Sequence, residues 1–289
     1  MSDAVYRSAA AAADVASHYR RVLAHWPVPR EELTVPTRVG PTFVVASGTE
    51  DAPPVVLLHG AMANAGAWLP DVGVWSSKFR VFAVDMIGEP GFSARIRPDL
   101  TSDAHALWLD DVFDALGLGA DRRPIALVGT SLGGWLALDY ACRRGTSVRA
   151  LALLAPAGIG GQKNFLLRAF PLLLLGAWGR RKMMELVFGP ERESRPKALE
   201  LLGPMIRSIR RAAKPRVVRI PRLTDNQLAA LRMPILAIVG GRDVLLDSRS
   251  TAARLRASAP HAQVRFIEDG YHLLPNETQR VMDFLVSCQ

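Results

Sequence analysis

The sequence predicts an α/β fold: a mostly parallel, eight-stranded sheet flanked by helices, with a helical cap inserted late in the chain. Three observations carry that prediction. Short apolar runs alternate with amphipathic stretches, the pattern of βα units feeding a parallel sheet. One run, at 125–129, passes through Gly129-Thr130-Ser131-Leu132-Gly133 directly into a helical stretch. Strand-like runs then cease over 158–222, where the cap is expected.

Taken in chain order, residues 1–23 are alanine-rich with scattered charges and lack the uninterrupted apolar centre of a secretory leader. They read as a helix leaning on the domain. Runs at 33–39 and 42–47 are expected to form an antiparallel edge. Parallel strands are expected at 55–59, 81–85, 125–129, 150–154, 235–239 and 264–267, with helices at 103–116, 132–144, 247–259 and 276–287. Residues 1–157 and 223–289 thus form the core, and 158–222 the cap.

The 289 residues suit one such domain, and 49% hydrophobic with 22% charged residues is the composition of a soluble globular protein. Two cysteines, Cys142 and Cys288, supply neither a disulfide framework nor a metal site, so a reducing cytoplasm is the simplest setting. The net charge of +9 is uneven. Residues 160–222 hold 15 Lys and Arg against 4 Asp and Glu, and the remainder holds 21 against 23. The cap is therefore at +11 and the rest at −2. A solvated arginine-rich surface accounts for this, as does steering of an anionic substrate or docking on an acidic partner. Nucleic acid is not expected, since no zinc finger, recognition helix or aromatic platform is present. The apolar run at 165–175, broken by Arg168 and Pro171, is too short to span a bilayer. It reads as a cap helix whose apolar face packs on the core and also lines a pocket. Arg180, Arg181 and Lys182 behind it leave contact with a membrane surface as a further reading.

The residues with chemistry lie at strand ends. Ser131 sits between glycines on a strand–turn–helix, where small neighbours let strand and helix approach and the helix N-terminus favours developing negative charge. A serine hydroxyl needs a base to take its proton and a carboxylate to orient that base. The strand at 235–239 ends in Gly240-Gly241-Arg242-Asp243, and the one at 264–267 in Glu268-Asp269-Gly270-Tyr271-His272. Taken singly, Ser131 is a turn residue, Asp243 a helix cap and His272 a surface loop residue. Taken together, at the edge where open α/β sheets build their sites, they read as a triad of Ser131, Asp243 and His272. Asp247 is a better placed cap for the next helix and the substitute acid, and Asp85 reads as a loop-orienting residue. The apolar strand at 55–58 runs into His59-Gly60-Ala61-Met62. With the Leu132 N–H, the Ala61 N–H (or alternatively that of Met62) is expected to form an oxyanion hole. His59 reads as hydrogen-bonding the loop backbone.

These pieces resemble the α/β-hydrolase superfamily, in its serine esterase and lipase-like branch. The resemblance rests on His59-Gly60, Asp85-Met86-Ile87-Gly88-Glu89-Pro90-Gly91-Phe92-Ser93, Gly129-Thr130-Ser131-Leu132-Gly133-Gly134, Gly240-Gly241-Arg242-Asp243 and Gly270-Tyr271-His272. It spans nearly the whole chain and implies the α/β-hydrolase fold, with the acid and then the histidine following the nucleophile. A serine nucleophile argues against dehalogenases and epoxide hydrolases of the family, which carry aspartate there. Glu89-Pro90 departs from the usual short glycine turn, either reshaping the pocket floor or as a variant without chemical effect. The expected reaction is carboxylic ester hydrolysis through an acyl-enzyme, with no metal and no organic cofactor. The expected substrate is a small ester with an apolar acyl or ring part, lined by Met62, Trp68, Trp135, Phe165 and Phe170. Cleavage of a C–C bond, amide or lactone uses the same triad, and a non-catalytic small-molecule binder is the alternative from another class.

Overall fold

Apolar β-runs leave backbone polar groups that only a neighbouring strand can satisfy, so they pair. The structure, a computed structural model, describes residues 3–164, 171–172, 174–190, 197–216 and 218–289. Its strands are β1 (Arg30–Val35), β2 (Thr42–Ser47), β3 (Pro54–Leu58), β4 (Arg80–Val84), β5 (Ile125–Thr130), β6 (Val148–Leu154), β7 (Ile235–Gly240) and β8 (Gln263–Ile267). They form one sheet in the order β1-β2-β4-β3-β5-β6-β7-β8. The β1–β2 and β2–β4 pairs are antiparallel and the others parallel. Every residue of β2, β3, β4 and β7 is buried, as expected of strands covered on both faces.

Several boundaries differ from the sequence expectation: the first helix starts at Ala9 although 1–23 reads as helix, the sixth strand starts at Val148 and not at 150, and the first strand shifts most. The first strand is Arg30–Val35 rather than 33–39. Arg30, Glu31 and Glu32 are exposed at the sheet edge, so hydropathy carries no signal for them. Pro36, which has no N–H to donate, ends the strand, and Gly40 N–H closes a turn on the Thr37 carbonyl at 2.9 Å.

The helices are α1 (Ala9–Ala24), α2 (Val72–Trp75), α3 (Ala104–Ala115), α4 (Leu132–Arg143), α5 (Gly176–Phe188), α6 (Lys197–Ala212), α7 (Asp225–Ala230), α8 (Ser248–Ser258) and α9 (Thr278–Ser287), and all but α5 contribute to the cores on the two faces of the sheet. Trp108 and Leu109 of α3, Leu136 of α4, Leu228 of α7 and Leu255 of α8 fill one core. Val15 and Tyr19 of α1, Trp75 of α2, Met205 and Ile209 of α6, and Val281 and Leu285 of α9 fill the other. Helix α1, started by the Ser8 side chain accepting from Ala11 N–H, packs on α6. Ser208 of α6 donates its hydroxyl to Asp14 at 2.5 Å, and Lys214 N–H reaches the Val5 carbonyl at 2.7 Å. Helices α5 and α6 lie in the stretch between β6 and β7. That stretch is closed at its base by Leu223 N–H on the Gly158 carbonyl at 2.8 Å. Among the described residues no helix is long and apolar enough to cross a membrane.

Candidate active site

The turn between β5 and α4 is held in a conformation that an L-residue seldom adopts. Ser131 has φ 53° and ψ −110°, left-handed and costly for a residue with a Cβ. Three hydrogen bonds hold it there. Its N–H donates to the Leu154 carbonyl at 3.0 Å, and its carbonyl accepts from Trp135 and Ala157 N–H at 3.0 and 3.1 Å. The strand–helix crossing is tight enough to require glycine on either side. A Cβ on Gly129 would sit 2.5 Å from the Gly133 carbonyl oxygen, and one on Gly133 would run into the Leu58 and His59 carbonyls. The result projects Ser131 at the N-terminus of α4, beyond the C-terminal edge of the sheet.

Asp243 lies in the loop after β7, and its side chain is fully buried. Oδ1 accepts from Leu245 and Leu246 N–H at 2.7 and 3.0 Å, which leaves Oδ2 to face His272. His272 Nδ1 lies 2.7 Å from Oδ2. A carboxylate already accepting from two backbone amides is an acceptor here too, so the hydrogen sits on Nδ1 and Nε2 keeps its lone pair. The two loops are fastened together by Gly241 N–H on the Ile267 carbonyl and Arg242 N–H on the Gly270 carbonyl, both at 2.8 Å. His272 N–H also donates to the Val187 carbonyl of α5 at 3.1 Å. Lys163, just before the apolar run, donates Nζ–H to the Asp243 carbonyl at 2.6 Å. The structure thus joins His272 to Asp243 and puts Ser131 at the same sheet edge; no hydrogen bond links the Ser131 hydroxyl to the His272 ring.

Gly60 lies beside the elbow, its Cα so placed that a Cβ would be 3.6 Å from Ser131 Cβ. The loop it opens is set by buried polar groups. His59 Nε2 accepts from Met86 N–H at 3.0 Å, so Nδ1–H donates to the Gly60 carbonyl at 2.8 Å. Burial pushes the His59 imidazole down to about 4, and the ring stays neutral. Asp85 accepts from Ala65 N–H at 2.7 Å, Tyr19 O–H at 2.9 Å and Phe92 N–H at 2.8 Å, which makes it a loop organiser. Asp247 caps α8 by accepting from Ser250 N–H at 3.0 Å.

The two amides expected for an oxyanion hole fare differently from their alternative. Among the described residues, neither Ala61 N–H nor Leu132 N–H has a protein acceptor. Met62, at φ 58°, spends its N–H on Glu89 Oε2 at 2.8 Å. In the sequence Glu89 stands out only as a departure from a glycine turn, and nothing local points to Arg216, whose Nε stands 3.4 Å from Glu89 Oε1. The available signal was a carboxylate set in an otherwise apolar, glycine-containing loop.

The residues expected to line a pocket do not form one wall. Trp135 is buried in the α3–α4 core beneath Gly158, Trp68 is buried in the opposite core against Trp75, and Met62 is half-buried beside that second core. Phe165 and Phe170 lie outside the described residues. A surface depression lined by Pro36, Thr37, Arg38, Asp111 and Asp114 belongs to the β1 edge, away from these groups. No group of three or more His, Cys, Asp or Glu suited to a metal ion occurs among the described residues.

Comparison with known proteins agrees with this architecture. Residues 55–284 match the model of the alpha/beta hydrolase family. The uncharacterized carboxylesterase nap of Bacillus subtilis (strain 168) is 32% identical over 274 residues, 92% of this chain and 90% of that protein. Carboxylesterase YbfK of the same organism is 30% identical over 275 residues, 92% of each chain. The crystal structure of naproxen esterase from Bacillus subtilis superposes with a TM-score of 0.81 at 29% identity, covering 96% of this chain and 99% of that one. With a family match across most of the core, and relatives aligned along nine-tenths of both chains, this chain belongs to the alpha/beta hydrolase family.

Proposed function

We propose that this protein is a carboxylic ester hydrolase working through an acyl-enzyme on Ser131. The observation that carries the proposal is the 2.7 Å contact between His272 Nδ1 and Asp243 Oδ2, which leaves Nε2 a free acceptor at the edge where the strained elbow presents Ser131. His272 removes the hydroxyl proton as Oγ attacks the ester carbonyl, and Asp243 holds the ring in the required tautomer. The Ser131–His272 hydrogen bond forms with substrate in place, since such bonds are often loose in the unliganded enzyme. The Ala61 and Leu132 amides, with no other protein acceptor, receive the oxyanion, each such donor lowering the barrier by ~3 kcal/mol. His272 then protonates the departing alcohol and activates water to release the acid. The residues account for every proton transferred without a metal or organic cofactor.

The carboxylesterase relatives at 30% and 32% identity support an ester substrate, and the apolar run at 165–175 supports an apolar acyl or ring part. Residues 158–222 act as the cap over this edge, a reading supported by the Leu223–Gly158 closure and by the contact of His272 N–H with α5. Of the residues expected to line the pocket, Met62, half-buried in the loop after β3, is the described one kept as proposed lining, with Phe165 and Phe170 proposed on their apolar character alone; Trp68 and Trp135 serve the two cores. Free Cys142 and Cys288 support a cytoplasmic setting.

The test is covalent labelling with a fluorophosphonate together with turnover of p-nitrophenyl esters. Wild type is expected to label, and Ser131→Ala to lose the label and at least about 10³-fold in turnover with its melting temperature preserved. A folded wild type that neither labels nor hydrolyses esters would make the chain a small-molecule binder instead.

A further inference from the structure

Glu89 is a buried carboxylate that the proposed reaction does not use, one residue's reach from an amide that it does. It is 1% exposed, its Oε2 accepts from Met62 N–H at 2.8 Å, and Met62 directly follows Ala61. The neighbouring Pro90 carbonyl accepts from Asn64 Nδ2–H at 3.0 Å, so residues 89 and 90 together grip the loop after β3 at two points. Met62 is held at φ 58°, a conformation that a methionine keeps only when its surroundings enforce it.

A carboxylate beside an oxyanion hole opposes the charge that develops there, so it needs an offsetting partner. Arg216 supplies one. Its side chain is 6% exposed and its Nε is 3.4 Å from Glu89 Oε1, a charge pair without the alignment of a hydrogen bond. Gly88, at φ +72°, leaves the room that this packing needs, since a Cβ there would meet Arg97 Cγ at 2.5 Å and the Arg216 guanidinium at 3.0 Å. Arg97 in turn donates to the Gly88 and Lys214 carbonyls at 2.8 and 2.7 Å, tying the chain beyond α6 to this loop.

We propose that Glu89 is a positioning residue for ester hydrolysis: its carboxylate braces the turn that presents the Ala61 amide, while Arg216 offsets its charge. The inference rests on the Ser131 mechanism. It predicts an effect on kcat rather than KM, because the oxyanion exists only in the transition state. Glu89→Ala frees the Met62 amide and lets the turn relax, and kcat for a p-nitrophenyl ester falls by about 10- to 100-fold with KM changed less than about twofold. Glu89→Gln keeps an oxygen acceptor for Met62 N–H and recovers most of that loss. Arg216→Met removes the stronger of the two cations that offset the carboxylate, leaving only Arg97, and lowers kcat by about fivefold, and Glu89→Gln in the same chain restores it.

A Glu89→Ala enzyme with wild-type kcat, or a Glu89→Gln enzyme as impaired as it, overturns the proposal. If Glu89→Ala does not fold, the Arg216→Met pair decides: a loss of kcat reversed by Glu89→Gln supports the brace, and no loss overturns it. Ser131→Ala measured alongside separates the two levels. An active Ser131→Ala enzyme removes the underlying mechanism, whereas an inactive one beside a fully active Glu89→Ala removes this inference alone.

Discussion

A histidine in a triad is useful only in one tautomer, and the side chain of Asp243 selects it. Two backbone donors saturate Oδ1 and leave Oδ2 for His272 Nδ1–H. In Asp243→Asn the amide oxygen can still receive those two N–H groups, but its NH2 would then face Nδ1 and favour the hydrogen on Nε2. Nε2 could no longer accept the serine proton. We expect kcat to fall by about 10²–10⁴-fold while substrate affinity is retained, read from steady-state kinetics on p-nitrophenyl esters. Ser131 makes the complementary point. Its left-handed backbone is costly in isolation, and bonds to Leu154, Trp135 and Ala157 over-determine it.

Between elements, the decisive contact is backbone against backbone. Helix α4 meets the end of β3 at Gly133, where the nearest neighbours are the Leu58 and His59 carbonyls. Main chain cannot rotate away as a long side chain can, so a single methyl group must push α4 off the sheet and carry the elbow with it. Gly133→Ala is expected to lower unfolding stability by about 3 kcal/mol or to prevent folding, measured by urea denaturation. Gly145→Ala is the control. Its Cβ would meet only the Met233 methyl group at 3.9 Å, and it should stay within about 0.5 kcal/mol of wild type. The N-terminal helix works at the same scale. Tyr19 of α1 donates its O–H to Asp85, so a helix added outside the sheet also orders the loop that holds Glu89.

For the whole molecule, buried titratable groups set how stability responds to acid. Burial holds His59 and His105 at about 4, below the usual 6.5. The unfolded chain therefore binds more protons between those values, and each histidine costs stability as pH falls from 6.5 towards 4. Asp71 and Asp85, raised to about 6 by burial, act in the opposite sense, weakening the fold as pH rises from 3.8 towards 6. The two effects oppose each other in wild type and can be separated by removing one. His105 is 3% exposed, stacks edge-on to Trp135 and has no hydrogen-bond partner for Nδ1. His105→Phe keeps the ring and removes the titration. Its stability relative to wild type should rise on acidification from pH 6.5 to 4, by at most about 3 kcal/mol, measured by thermal melts across that range. A difference that is flat with pH would show that His105 does not titrate in this window.

What the sequence determined by itself is whatever depends on local period and local chemistry. Strands β2 to β8 and helices α1, α3, α4, α8 and α9 were legible because an apolar run or stripe is a local pattern, whereas α2 and α7, at four and six residues, are too short to show one; Ser131, Asp243 and His272 stood out as candidates because each follows such a run. The first strand was misplaced by about three residues because exposed charges at a sheet edge carry no hydrophobic signal. The tertiary structure alone decided which buried polar groups meet. Glu89 finds Met62 and Arg216, Tyr19 finds Asp85, and Lys163 finds the Asp243 carbonyl, each across a long stretch of chain. A buried polar group takes its partners from whatever the fold brings near it, and that proximity is a property of the packed molecule that no stretch of sequence contains.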